Sequence, residues 1–198
     1  MSSNQAATPV RRSRSDARPE PGPDGAADAP ARRLRICFVG LPNLAVLAPQ
    51  FDPSGASGEP VQQTLLAKAL ARRGYEVSMV TADRGQPDGA SWHGVTTFKA
   101  FAPQAGLPVL RFVHPRWTGL WSALSRADAD VYYSSCAGGL AGQVAMFCAW
   151  RRKRYVFRVA SDSDCLPDAL IIKRWYWRDK RLYEYALKQA DGVLAQSV

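Results

Sequence analysis

The sequence predicts an α/β domain built on a doubly wound parallel sheet. Two observations carry this. Short apolar, β-branched and aromatic runs alternate with helical patterns from residue 34 onward, and an open sheet with helices on both faces buries such a pattern. The first helical pattern is also flanked closely by two strand patterns, the mark of a parallel strand–helix–strand unit.

The elements follow in order. Leu34 to Gly40, LRICFVG, is a short apolar run ending in glycine and reads as a buried strand. A loop rich in Pro and Gly leads to a helix over Pro60–Arg73, in which Val61, Leu65 and Ala69, with Leu66 and Leu70, recur at helical spacing. Ser57 or Gly58 can cap it, Pro60 suits its first turn and Gly74 ends it. Tyr75–Thr81 is the next strand and Val95–Phe101 the third. Residues 102–115 hold three prolines and read as irregular. A helix over Trp117–Arg126, a strand over Val131–Ser135 and a helix from Gly138–Gly139 through Trp150 come next. Tyr155–Ala160 is a fifth strand, followed by the polar loop SDSDC, a long helix from about Leu170 to Gln189 and a sixth strand over Gly192–Gln196. The alternation makes this a Rossmann-like doubly wound sheet.

The first 33 residues stand apart. They carry six Arg, four acids and five Pro, with no aromatic residue. Such a segment cannot bury enough surface to offset its ordering entropy and is expected to be a disordered tail. Its acids argue against a transit peptide, and it lacks the apolar stretch of a secretory signal. The domain is expected to span 34–198.

Charge and cysteines bound the function classes. The chain carries a formal +9, and residues 151–188 hold eleven basic and five acidic groups, a local excess of +6. That favours anionic partners without choosing among them. No aromatic-plus-basic motif of a nucleic-acid module is present, so nucleic acid is not an expected partner. No apolar run approaches the roughly 20 residues that span a bilayer. Cys37, Cys136, Cys148 and Cys165 show no CxxC spacing and lie far in sequence from His93 and His114. They read as free thiols in a reducing cytoplasm, with no metal site expected.

In such sheets ligands bind beyond the carboxyl ends of the strands, and three loops there can carry chemistry. Pro53–Glu59 brings Ser57, Gly58 and Glu59 to the start of a helix, where free amides suit a phosphate; a flexible connector is the alternative. Ser134–Gly139 brings Ser135 and Gly138 before another helix; tight strand–helix packing is the alternative. Ser161-Asp162-Ser163-Asp164-Cys165 could bind sugar hydroxyls or a cation, or supply a base; a solvated capping turn is the alternative.

The stretch FDPSGASGEPVQQTLLAKALARRGYEVSMVT resembles the opening of the N-terminal domain of family four glycosyltransferases, which have two facing Rossmann-like domains, the GT-B architecture. Their pattern is Gly-Gly-x-Glu-x-Gln leading into Leu-Ala-x-x-Leu-x-x-x-Gly-His-Glu-Val. Read back from Leu66-Ala67-Lys68-Ala69-Leu70, the glycines fall on Ser57 and Gly58 and the Gln on Gln62, while Tyr75 replaces the common His. Asp130-Val131 and Ala190-Asp191-Gly192-Val193 are also similar to the family. The usual Glu falls on Pro60, with Glu59 one place early, and the family's His-Asp pair corresponds to Ser161-Asp162. The family role of that His therefore does not pass to Ser161.

The resemblance implies the N-terminal, acceptor-side half of a retaining, hexosyltransferase-like enzyme of polysaccharide or glycoconjugate biosynthesis. The second, donor-binding domain is not seen in this sequence, so the chain alone is expected to be inactive. The co-substrate would be a nucleotide-diphosphate sugar, with no other cofactor. Ser57, Gly58 and Glu59 would face the donor phosphates, and Ser135, Gly138 and Ser161 the acceptor. Asp162 is the catalytic candidate, on the acceptor side. The acceptor would be a glycan or a lipid-linked group. The helix over 171–189 gathers Lys173, Arg174, Arg178, Lys180, Arg181 and Lys188 on one side with Trp177 among them, and Ile172, Trp175, Leu182, Tyr183 and Ala186 on the other. That pattern suits either a solvated face or peripheral contact with anionic lipid at the inner face of the membrane. Asp179 falls on the apolar side and needs a partner there. The rival reading is a stand-alone, non-catalytic module that binds a phosphorylated ligand.

Overall fold

The computed structural model describes residues 32–55, 57–107, 112–135, 137–160, 164 and 177–195. Residues 1–31, together with Ser161 and Asp162, lie outside the described residues, as do Cys136 and Cys165.

The strands are β1 (Arg35–Val39), β2 (Glu76–Thr81), β3 (Ser91–Trp92), β4 (Val95–Lys99), β5 (Val131–Ser135), β6 (Arg154–Arg158) and β7 (Gly192–Leu194). The helices are α1 (Leu44–Leu47), α2 (Gly58–Arg72), α3 (Thr118–Ala127), α4 (Gly139–Arg151) and α5 (Trp177–Gln189). A single 3-10 turn (Leu41–Asn43) precedes α1, and an irregular turn (Phe112–Trp117) precedes α3. The strands form one sheet in the order β3-β4-β2-β1-β5-β6-β7. All neighbours are parallel except the β3–β4 pair. The chain leaves β1 toward β2 on one side and later returns to β5 on the other, so the topological switch lies between β1 and β5.

The two faces are covered differently. Cys37, Val39, Val80, Tyr132, Tyr155 and Phe157 pack under α3, α4 and α5. Phe38, Met79, Val95 and Tyr133 pack with Leu47 of α1 and Ala67 of α2. Each strand alternates its side chains between these layers, and β1 is apolar on both, as a central parallel strand must be. α4 and α5 approach closely because Gly142 has no side chain: a Cβ there would lie 2.5 Å from Leu182 Cβ. Burial pushes the Cys37 thiol up to about 12, so it stays protonated in the core. Cys37 and Cys148 are both buried free thiols.

The sequence-derived elements hold among the described residues, with corrections at their ends; the part of the long helix expected over 170–176 and the expected strand end at Gln196 lie outside the described residues. α2 begins at Gly58, two residues before the expected start, with Ser57 as its cap residue, and Gly74 follows it at φ 88°. The strand expected to reach Phe101 ends at Lys99, and the one expected to reach Ala160 ends at Arg158. The β3 hairpin is too short to show a period. The larger correction concerns the face of α2. Leu65 and Leu66 are exposed, and the helix buries Pro60, Gln63, Thr64 and Ala67 instead. Gln63 and Thr64 face inward because α2 crosses the polar carboxyl edge of the sheet before it reaches apolar Leu70 and Ala71.

Asp130 and Asp191, which open strand segments in the family-like stretches, play matching structural parts. The Asp130 carboxylate accepts the Arg35 amide at 3.0 Å, and its own amide donates to the Arg35 carbonyl at 2.9 Å. Asp191 does the same with Tyr155, at 2.7 and 2.8 Å. Each carboxylate thus closes the ladder at the amino edge of the sheet, where a strand's first amide lacks a ladder partner.

Candidate active site at the carboxyl edge

The carboxyl ends of β1, β5 and β6 converge beside the start of α2. Gly40 follows β1, and a Cβ on it would overlap the side chains of Asn43 and Gln63. Only glycine lets the backbone pass this close. The Asn43 amide donates to Gln63 Oε1, and Gln63 Nε2 donates to the Ser135 hydroxyl at 3.2 Å. Ser135 in turn donates to the Glu59 carboxylate. A continuous chain of polar groups therefore runs Asn43–Gln63–Ser135–Glu59 across the switch point. Arg158, at the end of β6, donates to Gln62 on the outer side of α2.

Three buried polar atoms on the same elements lack a hydrogen-bond partner among the described residues: Asn43 Oδ1, Thr64 Oγ1 and the Tyr133 hydroxyl. Burial raises the Tyr133 pKa, and the Arg158 guanidinium acts against that. Tyr133 therefore enters the site as a neutral donor. Buried groups left in this state are where a ligand has hydrogen bonds to gain.

The sequence-predicted residues sort as follows. Ser57 and Gly58 are exposed at the first turn of α2, which no side chain of Ser57 caps. Their amides point outward with the positive end of the helix. Gly58 has open space around it, with nothing within 4 Å of a Cβ built there. Glu59 and Ser135, assigned from sequence to donor and acceptor sides, touch each other. Gly138 caps α4 at φ 153°, a conformation that glycine adopts freely. Ser161 and Asp162 lie outside the described residues. Asp164, from the same polar loop, is buried and holds the site's walls together. Its carboxylate accepts the Ala137 amide at 3.2 Å and the Ala160 amide at 2.7 Å, and its carbonyl accepts the Tyr183 hydroxyl at 2.6 Å. Asp164 itself is thus anchored to both walls.

Asn43, Gln63, Tyr133 and Arg158 were not singled out from sequence. Gln63 had a signal: a polar residue on what proves to be the buried stripe of a helix. The larger cavity of about 480 Å³ lies at the amino edge, lined by Arg35, Glu76, Val77 and Phe98. It is remote from the strand ends where these polar loops converge.

Residues 57–198 match the family model described as a glycosyl transferase 4-like domain. The chain belongs to that family. No curated protein matches it. The match begins at Ser57, the cap of α2, and takes in the loops after β5 and β6. The glycosyltransferase domain thus carries its polar network at the switch point of the sheet. Among the described residues no group of acidic, His and Cys side chains is arranged to hold a metal ion. No helix among them is long and apolar enough to cross a membrane.

Proposed function

We propose that this domain is the acceptor-side, N-terminal half of a nucleotide-sugar-dependent, retaining glycosyltransferase that builds a polysaccharide or glycoconjugate. The observation that carries the reading is the polar chain Asn43–Gln63–Ser135–Glu59 at the sheet's switch point, in a chain whose family is glycosyl transfer. Family membership does not favour the stand-alone binding module.

In this reading the uncapped first turn of α2 at Ser57 and Gly58 faces the donor diphosphate. The Ser135 hydroxyl donates to the Glu59 carboxylate and disperses part of its charge at that turn. Asp162 and Ser161 would face the acceptor. A second domain, carried elsewhere in the complete protein, would bind the nucleotide and close the cleft. The residues described here therefore position and desolvate; they do not complete the donor site.

Peripheral contact with anionic lipid through residues 171–189 belongs to the same proposal. The described part of that helix supports it in part. Tyr183 and Ala186 are buried, whereas Arg181 and Lys188 are exposed. Arg178 turns inward, with its guanidinium 3.5 Å from the centre of the Phe112 ring. Asp179 finds the partner its position demands in Arg178, at 3.4 Å.

The test uses the product of the complete reading frame with labelled nucleotide sugars and a panel of glycan and polyprenyl-phosphate acceptors. Transfer of label is expected, with none from residues 1–198 alone. Label transfer by 1–198 alone would place the whole site in this domain and overturn the two-domain reading.

A further inference from the structure

We propose that the cleft beside Arg116 binds a phosphate group of the acceptor, so that the enzyme's natural acceptor is phosphorylated. This rests on the transferase reading and adds the acceptor's chemical class.

Two adjoining cavities, of about 210 and 360 Å³, open at the carboxyl edge and share Leu41, Phe101 and Arg116 as lining residues. The larger of the two is walled mainly by apolar residues, Pro42, Ala82 and Pro103 among them, whereas the smaller mixes Phe112 and Leu140 with Gln143, Arg178 and Asp179. Three guanidinium groups reach this space, and two already have carboxylates. Arg84 Nε lies 3.1 Å from the buried Asp52. Arg178 pairs with Asp179 and stacks on Phe112. Asp179 is also the group that sits against the start of α4, 2.8 Å from where a Cβ of Gly139 would be. The positive end of that helix is therefore occupied by the protein's own carboxylate.

Arg116 differs. It pairs with no carboxylate among the described residues, and its Nε is buried without a hydrogen-bond partner. A guanidinium cannot shed its proton to escape this cost. The guanidinium lines both cavities with no carboxylate of its own among the described residues, so an acceptor bound there gains a charged donor. An anion suits this guanidinium better than a sugar hydroxyl, because it supplies both an acceptor and a compensating charge. The planar guanidinium, part of the lining of both cavities, carries terminal donors that match two oxygens of a phosphate. Apolar walls close to these donors strengthen that contact by excluding water. The cleft begins at Leu41, immediately after Gly40, and ends at Gly139, next to Gly138. It therefore adjoins the loop after β1 that carries Asn43 of the polar network.

The experiment is calorimetric titration of the full chain with glycerol 3-phosphate, against glycerol as the uncharged control. Saturable binding of the phosphate alone is expected, unchanged by saturating UDP. Arg116→Gln should weaken it about tenfold or more, because a hydrogen bond to a charged group is lost. Arg116→Lys should keep part of it, since the charge remains without the fork. Circular dichroism melts of both variants establish that they fold. Vesicles with phosphatidic acid, against phosphatidylcholine alone, tell a lipid phosphate from a soluble one. Binding to either, lost in Arg116→Gln, supports the proposal. Failure of glycerol 3-phosphate and phosphatidic acid to bind, equal binding by Arg116→Gln, or displacement by UDP would overturn it. The transferase reading fails separately: Arg116-dependent phosphate binding with no sugar transfer by the complete protein would leave this site standing and remove that reading.

Discussion

Gln63 donates from Nε2 to the Ser135 hydroxyl at 3.2 Å, across 72 residues of sequence. This bond ties α2 to the far side of the topological switch. It also joins two loops that sequence reading treated as separate sites. The geometry makes them one polar floor, with Glu59 and Asn43 at its ends.

Replacing Gln63 by Leu tests that floor. The substitution removes both of its hydrogen bonds and leaves the Asn43 amide buried without its acceptor. A loss of about 1–3 kcal/mol is expected, the cost of one unsatisfied buried group. The urea midpoint should fall at unchanged slope. An unchanged midpoint would mean that water reaches this floor and that the network is not dry.

Gly58 provides the opposite case. A side chain there meets nothing within the domain, so Gly58→Val should cost only the small helix-propensity difference, a few tenths of a kcal/mol in either direction. If the donor diphosphate lies against this turn, the branched side chain should obstruct it. The KM for the nucleotide sugar in the complete enzyme should rise while the melting temperature holds. Unaltered kinetics would place the donor elsewhere.

Acid should destabilise the amino edge of the sheet. Its bond from the Arg35 amide, followed by the charges of Arg32 and Arg35, holds the Asp130 carboxyl below the usual carboxylate range, against the effect of burial. Asp128 is held down likewise, first by its hydrogen bond from Lys153 and then by Arg35. A depressed folded pKa means that the unfolded chain binds the proton more readily. The stabilisation is therefore complete above the unfolded value of about 4 and is lost as pH falls through the folded value. Asp130→Asn should lower the urea midpoint at neutral pH and flatten its fall below about pH 4. A variant whose pH profile matches the parent's would show that other carboxylates govern acid unfolding.

Removal of residues 1–31 should leave the melting temperature nearly unchanged, because their composition cannot supply a core. The cut belongs before Arg32, not after Arg33, since Arg32 pairs with Asp130 at 2.8 Å. That pair is two-thirds exposed on the Arg32 side, so its own contribution is small. A large fall in melting temperature on removing 1–31 would show that the segment belongs to the domain.

The sequence by itself determined the fold class, the order of the parallel strands and of the longer helices, and the family; it did not show α1 or the antiparallel β3. Those depend on local periodicity and on short-range signals: four apolar residues in a row at Ile36–Val39, Gly74 after α2, and the Leu66–Leu70 pattern with its following strand. Even the loops at the carboxyl edge could be named, because a parallel sheet puts them there whatever their sequence. Three things were decided only by the tertiary structure. The buried face of α2 is one: Leu65 and Leu66 look like core residues, yet Gln63 and Thr64 are inside, because what lies beneath that turn is a polar strand end. The joining of Glu59 to Ser135 is another, and it depends on which strands are neighbours, a relation that no local pattern contains. The isolation of Arg116 is the third. In sequence it is one of many arginines in the chain, just past an irregular stretch. Which of them lacks a carboxylate is settled by where Asp52 and Asp179 come to rest, since a charge's free energy depends on what surrounds it in space.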